Sequence, residues 1–144
     1  MSLKPEIGSF AGTWTYRSLL NDPDVSVAFD NLEFGRGNID IQDAPFGVFK
    51  GRIYGPGWEL QLSGAINFGT PNVLRFQGRG VVGGEEWIYD YTGYYVPAWP
   101  NGIDQRPAIV GSIVRTIAHS SGASGTAPAG VVCSWYAVLN DPQP

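Results

Sequence analysis

The side chains best suited to hold a ligand lie in segment 97–107, between two stretches that read as β-strands. A simple hairpin would need only about two to five residues at this point. Three prolines restrict the backbone, so the segment has little conformational entropy left to lose when it binds something. It carries the aromatic and hydrogen-bonding side chains Trp99, Asn101, Asp104, Gln105 and Arg106. We predict a lid over a binding pocket; the alternative is a stiff strap, pinned by an ion pair between Asp104 and Arg106.

A second group of candidate binding residues is aromatic and lies on predicted strands. Tyr89 and Tyr91 alternate with Asp90, so the two phenols share one face of their strand and the carboxylate lies on the other. Trp58 and Trp135 lie on two further strands. Aromatic walls with a few polar groups are typical of small-molecule pockets. Core filling is the alternative, because each tryptophan buries a large area.

Metal binding and nucleophilic catalysis have less support from the residues. His119 has no second histidine, whereas zinc and non-haem iron sites need three or more clustered ligands. It also begins a connection of small residues, 118–130, which predicts a flexible and poorly ordered loop. No G-x-S-x-G motif is present, and Cys133 alternates with Val131 and Trp135 as a buried, inert thiol would. We expect no cofactor, no metal and no assignable catalytic residue.

Composition narrows the classes of protein further. A chain of 144 residues suggests a single domain over 1–144, and 43 % hydrophobic with 15 % charged residues suits a folded globule. A formal charge of −4 without any basic run argues against nucleic-acid binding. No apolar window is long enough to span a membrane. With one cysteine and no signal-peptide pattern, we expect a cytoplasmic protein.

Strand-like segments recur along the whole chain, and no convincing amphipathic helix exceeds two turns. In one of them Trp58, Leu60 and Leu62 alternate with Glu59 and Gln61, as expected of a half-buried strand. Short Gly-rich links favour an all-β, eight-stranded up-and-down antiparallel barrel, with a two-sheet β-sandwich as the alternative. The predicted strands are 10–18, 32–41, 47–54, 58–68, 73–81, 87–96, 108–117 and 130–139.

Glycine recurs about once per predicted strand. Closed barrels use such glycines where the sheet must coil sharply. We therefore expect kinks at Gly37, Gly51, Gly64, Gly78, Gly93 and Gly111.

The opening motif FAGTWTY, residues 10–16, contains a G-x-W element at Gly12 and Trp14. Together with YDY at 89–91 and the late Arg115, it resembles the calycins, which include lipocalins, fatty-acid-binding proteins and avidins. The resemblance implies that Arg115 covers Trp14 in a cation–π contact and closes the barrel floor. Avidin-like assembly further implies a possible homodimer or homotetramer.

The sequence leaves three functions open. The first is a small-molecule binding protein, which holds an apolar or amphipathic ligand at the barrel mouth under the 97–107 lid. The second is a barrel enzyme of the isomerase or cyclase type that uses the same pocket and a positioned acid or base. The third is an interaction module whose barrel is filled with side chains. An open cavity without a desolvated carboxylate would favour the first.

Overall fold

The chain folds into one closed antiparallel β-barrel in the computed structural model, which describes residues 10–98, 105–121 and 125–140. The barrel strands are β1 (Gly12–Leu20), β2 (Glu33–Ile41), β3 (Val48–Gly55), β4 (Trp58–Asn67), β5 (Val73–Val82), β6 (Glu85–Val96), β7 (Ala108–Arg115) and β10 (Val132–Leu139). A short ribbon, β8 (His119–Ser120) with β9 (Thr126–Ala127), interrupts the connection between β7 and β10. One 3₁₀ turn spans Phe29–Asn31.

Strand pairing confirms the predicted up-and-down barrel and excludes the two-sheet sandwich. Strands β2 to β7 pair in chain order, β10 pairs with β7, and β1 pairs with both β10 and β2, so no edge remains open. Every predicted strand lies within two residues of the observed bounds. The alternation in β4 is also confirmed, because Leu60 and Leu62 are buried while Glu59 and Gln61 are exposed.

The two ends of the barrel differ, and the difference positions the site. We call one end the cavity end; there β1, β3, β5 and β7 finish and β2, β4, β6 and β10 begin. At the other end, the terminal end, β1 begins and β10 finishes. Because the strands alternate in direction, the connection between β6 and β7 lies at the terminal end, and the β8–β9 ribbon lies at the cavity end.

Stacked aromatic rings fill the middle of the barrel. Phe76 lies between Phe49 and Tyr91, with ring centroids 4.3 Å and 4.7 Å away, and the rings are nearly parallel. Trp135 meets the Phe76 and Tyr91 rings edge-on, and its indole N–H donates to the backbone oxygen of Ser112 at 2.9 Å. This aromatic layer closes the interior on the side of the terminal end.

The recurring glycines make room for that layer and for close strand contacts. A Cβ on Gly93 would lie 2.7 Å from Ile109 Cγ2 and 2.9 Å from Trp135 Cζ2, so the indole lies across a strand that has no side chain there. A Cβ on Gly64 would overlap Phe76, and one on Gly111 would overlap the backbone oxygen of Thr92. Glycine therefore occurs at these positions because a neighbouring ring or strand lies too close to leave room for a side chain.

Trp14 and Arg115 do not form the predicted barrel-floor contact. Trp14 is buried at the terminal end, where its indole N–H donates to the Phe10 backbone oxygen at 2.9 Å. Arg115 ends β7 at the cavity end, with its guanidinium over the rings of Phe34 and Tyr89. The calycin-derived pairing is corrected because strand direction separates the two residues by the length of the barrel. Gly12 opens β1 with φ of 136°, opposite Ile41 of β2.

Candidate ligand-binding site

A cavity of about 370 Å³ occupies the cavity end of the barrel, above the aromatic layer. Its walls are mainly apolar, because the inward-facing positions of the strands carry large hydrophobic side chains at this level. The apolar wall comprises Phe34, Ile53, Trp58, Leu60, Val82, Trp87 and Ile113. Polar groups enter the cavity at two levels, one against the aromatic layer and one at the rim.

The deeper polar level consists of hydroxyl groups. Tyr16, Ser18 and Tyr91 all line the cavity, and the Ser18 hydroxyl donates to the Gly35 backbone oxygen at 3.4 Å. Burial raises the pKa of Tyr16 and of Tyr91 well above the ordinary value for a phenol. These hydroxyls are therefore neutral at physiological pH and offer hydrogen bonds without charge.

The rim level is a hydrogen-bonded cluster of Tyr89, His119 and Arg115. His119 Nδ1 lies 2.9 Å from the Ser120 backbone oxygen, which only accepts, so this nitrogen carries the proton in neutral histidine. His119 Nε2 then accepts from the Tyr89 hydroxyl at 2.8 Å, and the same hydroxyl oxygen accepts from Arg115 Nε at 3.0 Å. Tyr89 therefore uses both its proton and its oxygen within the cluster.

Burial and the positive charge of Arg115 shift the pKa of the Tyr89 phenol in opposite directions. Desolvation raises the pKa of its phenol, and the hydrogen bond and positive charge of Arg115 only partly oppose that rise. The phenol is consequently protonated at neutral pH, which agrees with its donation to His119.

The β8–β9 ribbon brings His119 to the rim, so part of the connection predicted to be poorly ordered forms a strand pair, whereas residues 122–124 of it lie outside the described residues. The imidazole is only 6 % exposed and stacks on Trp87, with ring centroids 3.9 Å apart and planes 9° from parallel. Ser120 N donates to Glu85 Oε1 at 2.9 Å, and Arg115 Nη1 donates to the Pro128 backbone oxygen at 3.2 Å. These contacts reach across 13 to 35 residues of sequence, so local composition does not reveal them.

Three of the predicted aromatic binding residues meet at this cavity: Trp58, Tyr89 and Tyr91. Trp135 does not line it, because its ring belongs to the aromatic layer. Asp90 points outward as the alternation indicated, where it accepts from Gln77 and Thr116.

The described ends of segment 97–107, residues 97–98 and 105–107, lie at the opposite end of the barrel. The segment leaves β6 after Val96 and enters β7 at Ala108, both at the terminal end. Of its predicted binding residues, Trp99, Asn101 and Asp104 lie outside the described residues, whereas Gln105 and Arg106 are described but do not line the cavity. The lid stays a prediction for the terminal end, where a smaller pocket of about 200 Å³ lies beside the β2–β3 connection.

Sequence reasoning missed several residues of this site, most importantly His119 and Trp87 as a pair. Strand alternation could have identified some of them. Tyr16 and Ser18 lie two and four residues after Trp14, and Trp87 lies two residues before Tyr89, so each shares a strand face with a residue already singled out. For His119 the sequence held no comparable signal.

Neither carboxylates nor metal-ligand clusters mark the cavity. Within the described ranges, no Asp or Glu lines it, and no group of three or more His, Cys, Asp and Glu side chains could hold a metal ion. The described part of the chain also contains no helix with the length and hydrophobicity to cross a bilayer.

Comparison of the chain with protein-family models, with curated proteins and with solved structures gave no match. The fold is compatible with a calycin-like barrel at the level of strand number, order and direction.

Proposed function

We propose that the protein binds one small, partly apolar molecule in the cavity at the cavity end of the barrel. The observation that carries this proposal is the half-filled interior, with an aromatic layer below and a cavity of about 370 Å³ above. That volume lies at the lower end of the roughly 300–1,000 Å³ typical of ligand pockets. It exceeds twice the roughly 150 Å³ of an apolar cavity that accepts benzene. A ligand with one or two rings, or a medium-length chain, fits this space.

The cavity and its lining support the three functions left open by the sequence to different degrees. A fully packed interaction module fits the aromatic layer but not the cavity. A binding barrel of calycin type, whether lipocalin-like or avidin-like, agrees with eight strands enclosing room for one small ligand. Absence of a carboxylate from the described cavity lining favours binding over acid–base catalysis by Asp or Glu.

Intrinsic tryptophan fluorescence tests the proposal, because Trp58 and Trp87 line the cavity. The wild-type protein is titrated with 1-decanol, 4-phenylbutan-1-ol and their carboxylic acids. Val82→Phe places a larger side chain in the cavity, and Val81→Phe makes the same change on the exposed face of the same strand. We expect saturable quenching that weakens at least about fivefold in Val82→Phe and is unchanged in Val81→Phe. Equal weakening in both variants, or no saturable response in the wild type, contradicts the proposal.

An acid–base enzyme is the second candidate, favoured by the hydrogen bond between Tyr89 and His119 within reach of the cavity. Incubation of carbonyl-containing ligands in D₂O distinguishes it from a binding protein. Deuterium incorporation that depends on Tyr89 would favour the enzyme, and ligand recovered without deuterium would favour binding alone.

Self-association stays a proposal as well. Tyr94, Val96 and Val110 expose hydrophobic surface on the outer face of the neighbouring strands β6 and β7, and Tyr94 lies directly opposite Val110. Light scattering on the full chain would separate a monomer from a homodimer or homotetramer.

A further inference from the structure

Arg115 is a buried cation without a carboxylate partner in the described chain. Its residue exposure is 9 %, whereas the ion pairs among the described residues join other, far more exposed arginines; one of these, Arg36, also lines the cavity but is paired with Glu33. A buried charge is costly unless a counter-charge and hydrogen bonds accompany it. Hydrogen bonds are present at Arg115, but the negative charge is missing.

The groups nearest to Arg115 do not supply that negative charge. Tyr89 accepts a hydrogen bond from Arg115 Nε, but burial raises the pKa of the phenol, so it stays neutral. Burial likewise raises the pKa of the Cys133 thiol, which also interacts electrostatically with Arg115. Pro128 contributes a neutral backbone oxygen.

One edge of the guanidinium remains available. Nε donates to Tyr89 and Nη1 donates to Pro128, whereas Nη2 donates no hydrogen bond within the described residues. In that part of the chain, every fully buried side-chain nitrogen or oxygen has a partner, so Nη2 must reach accessible space. Arg115 also lines the cavity, which is the accessible space on the inner side of β7.

We propose that Arg115 forms an anion subsite, and that the ligand of this cavity is an amphipathic carboxylic acid. The inference rests on the proposed binding function and adds the class of ligand. The carboxylate lies against the guanidinium, whose planar fork matches two carboxylate oxygens. The apolar part of the ligand extends between Trp58, Leu60 and Ile113 toward the hydroxyls of the deeper level. Tyr89 and Phe34 hold the guanidinium in place, through a hydrogen bond and a ring face respectively.

Matched pairs of ligands test the subsite by calorimetric titration. Decanoate is compared with 1-decanol, and 4-phenylbutanoate with 4-phenylbutan-1-ol, so that each pair differs only at the head group. A charge-assisted hydrogen bond contributes about 1.5–3 kcal/mol, so we expect each acid to bind at least about tenfold more tightly than its alcohol.

Three variants assign that preference to Arg115. In Arg115→Met the acid and the alcohol should bind about equally, whereas Arg79→Met, on the outer face of β5, should keep the full preference. Arg115→Lys keeps the charge but loses the fork, so it should keep only part of the preference; it decides the question if Arg115→Met does not fold.

Equal binding of acid and alcohol by the wild type would overturn the anion subsite and leave the cavity function standing. An acid preference that survives both Arg115 variants would also overturn it. Binding of neither member of either pair would count against both proposals.

Discussion

Removal of one hydroxyl group, in Tyr89→Phe, should cost more stability than its size suggests. The phenylalanine ring keeps the apolar contacts of Tyr89 with Trp87 and Phe34, so packing changes little. Two partners nevertheless lose their hydrogen bond at once, because Arg115 Nε donates to the hydroxyl and His119 Nε2 accepts from it.

The expected magnitude follows from those two partners. A buried polar group left without a partner costs about 1–3 kcal/mol, so two such groups predict a loss of about 2–6 kcal/mol. Water that enters the cavity and bonds to either group would bring the loss to the lower end of that range. Even the lower end is a large fraction of the roughly 5–15 kcal/mol that stabilises a typical domain.

Urea unfolding followed by circular dichroism measures the effect, with Tyr94→Phe as the matched control. Tyr94 lies on the same strand but faces outward and is 48 % exposed, so its change should stay within about 0.5 kcal/mol of wild type. A double-mutant cycle with His119→Phe, which keeps a ring to stack on Trp87, should give a coupling of about 0.5–3 kcal/mol. Equal stability of the two tyrosine variants, together with no coupling, would show that the rim cluster does not form.

Three further predictions follow from the core. Gly111→Ala should destabilise by at least about 1–3 kcal/mol in urea unfolding, because its Cβ would overlap the neighbouring strand, whereas Gly69→Ala, with 3.6 Å of space, should lie near wild type. A thiol reagent should react with Cys133 only as fast as the protein opens, because the thiol is buried and its pKa is raised; rapid labelling of folded protein would contradict this. Since burial raises the pKa of Tyr16 and Tyr91 above that of unfolded chains, the folded state holds their protons longer; the contribution of these two phenols to stability should be constant below about pH 10 and fall above it. An ultraviolet titration in which all seven tyrosines ionise together without unfolding would refute that expectation.

Strand positions and the closed barrel were predictable because their signal is local. Alternation such as Trp58, Leu60 and Leu62 against polar neighbours defines which face of a strand is buried, whatever lies opposite. Glycine and proline between such runs mark the ends of strands for reasons of backbone geometry. A chain of eight such strands with short connections has few ways to bury its inner faces, and closure is one of them.

The candidate site was predictable only in part. Tyr89, Tyr91 and Trp58 were identified as aromatic side chains on alternating strands, but Trp135 was identified on the same ground, and it fills the core. Inward direction alone does not distinguish a cavity wall from a packed layer, because the distinction depends on which rings from other strands occupy the same level. Segment 97–107 was grouped with these residues by its composition, whereas the strand ends that flank it, Val96 and Ala108, lie at the other end.

Amino-acid order alone thus predicted the strands, the two alternating faces of each strand and an all-β barrel, since these depend on residues a few positions apart. Only the tertiary structure decided that the barrel is half filled, that Arg115 lies far from Trp14, and that His119 reaches Tyr89 across 30 residues of sequence. The physical reason is that a cavity and a hydrogen-bonded cluster are properties of several strands packed at one level. Register and strand direction, which set that level, come from the assembly of the whole barrel.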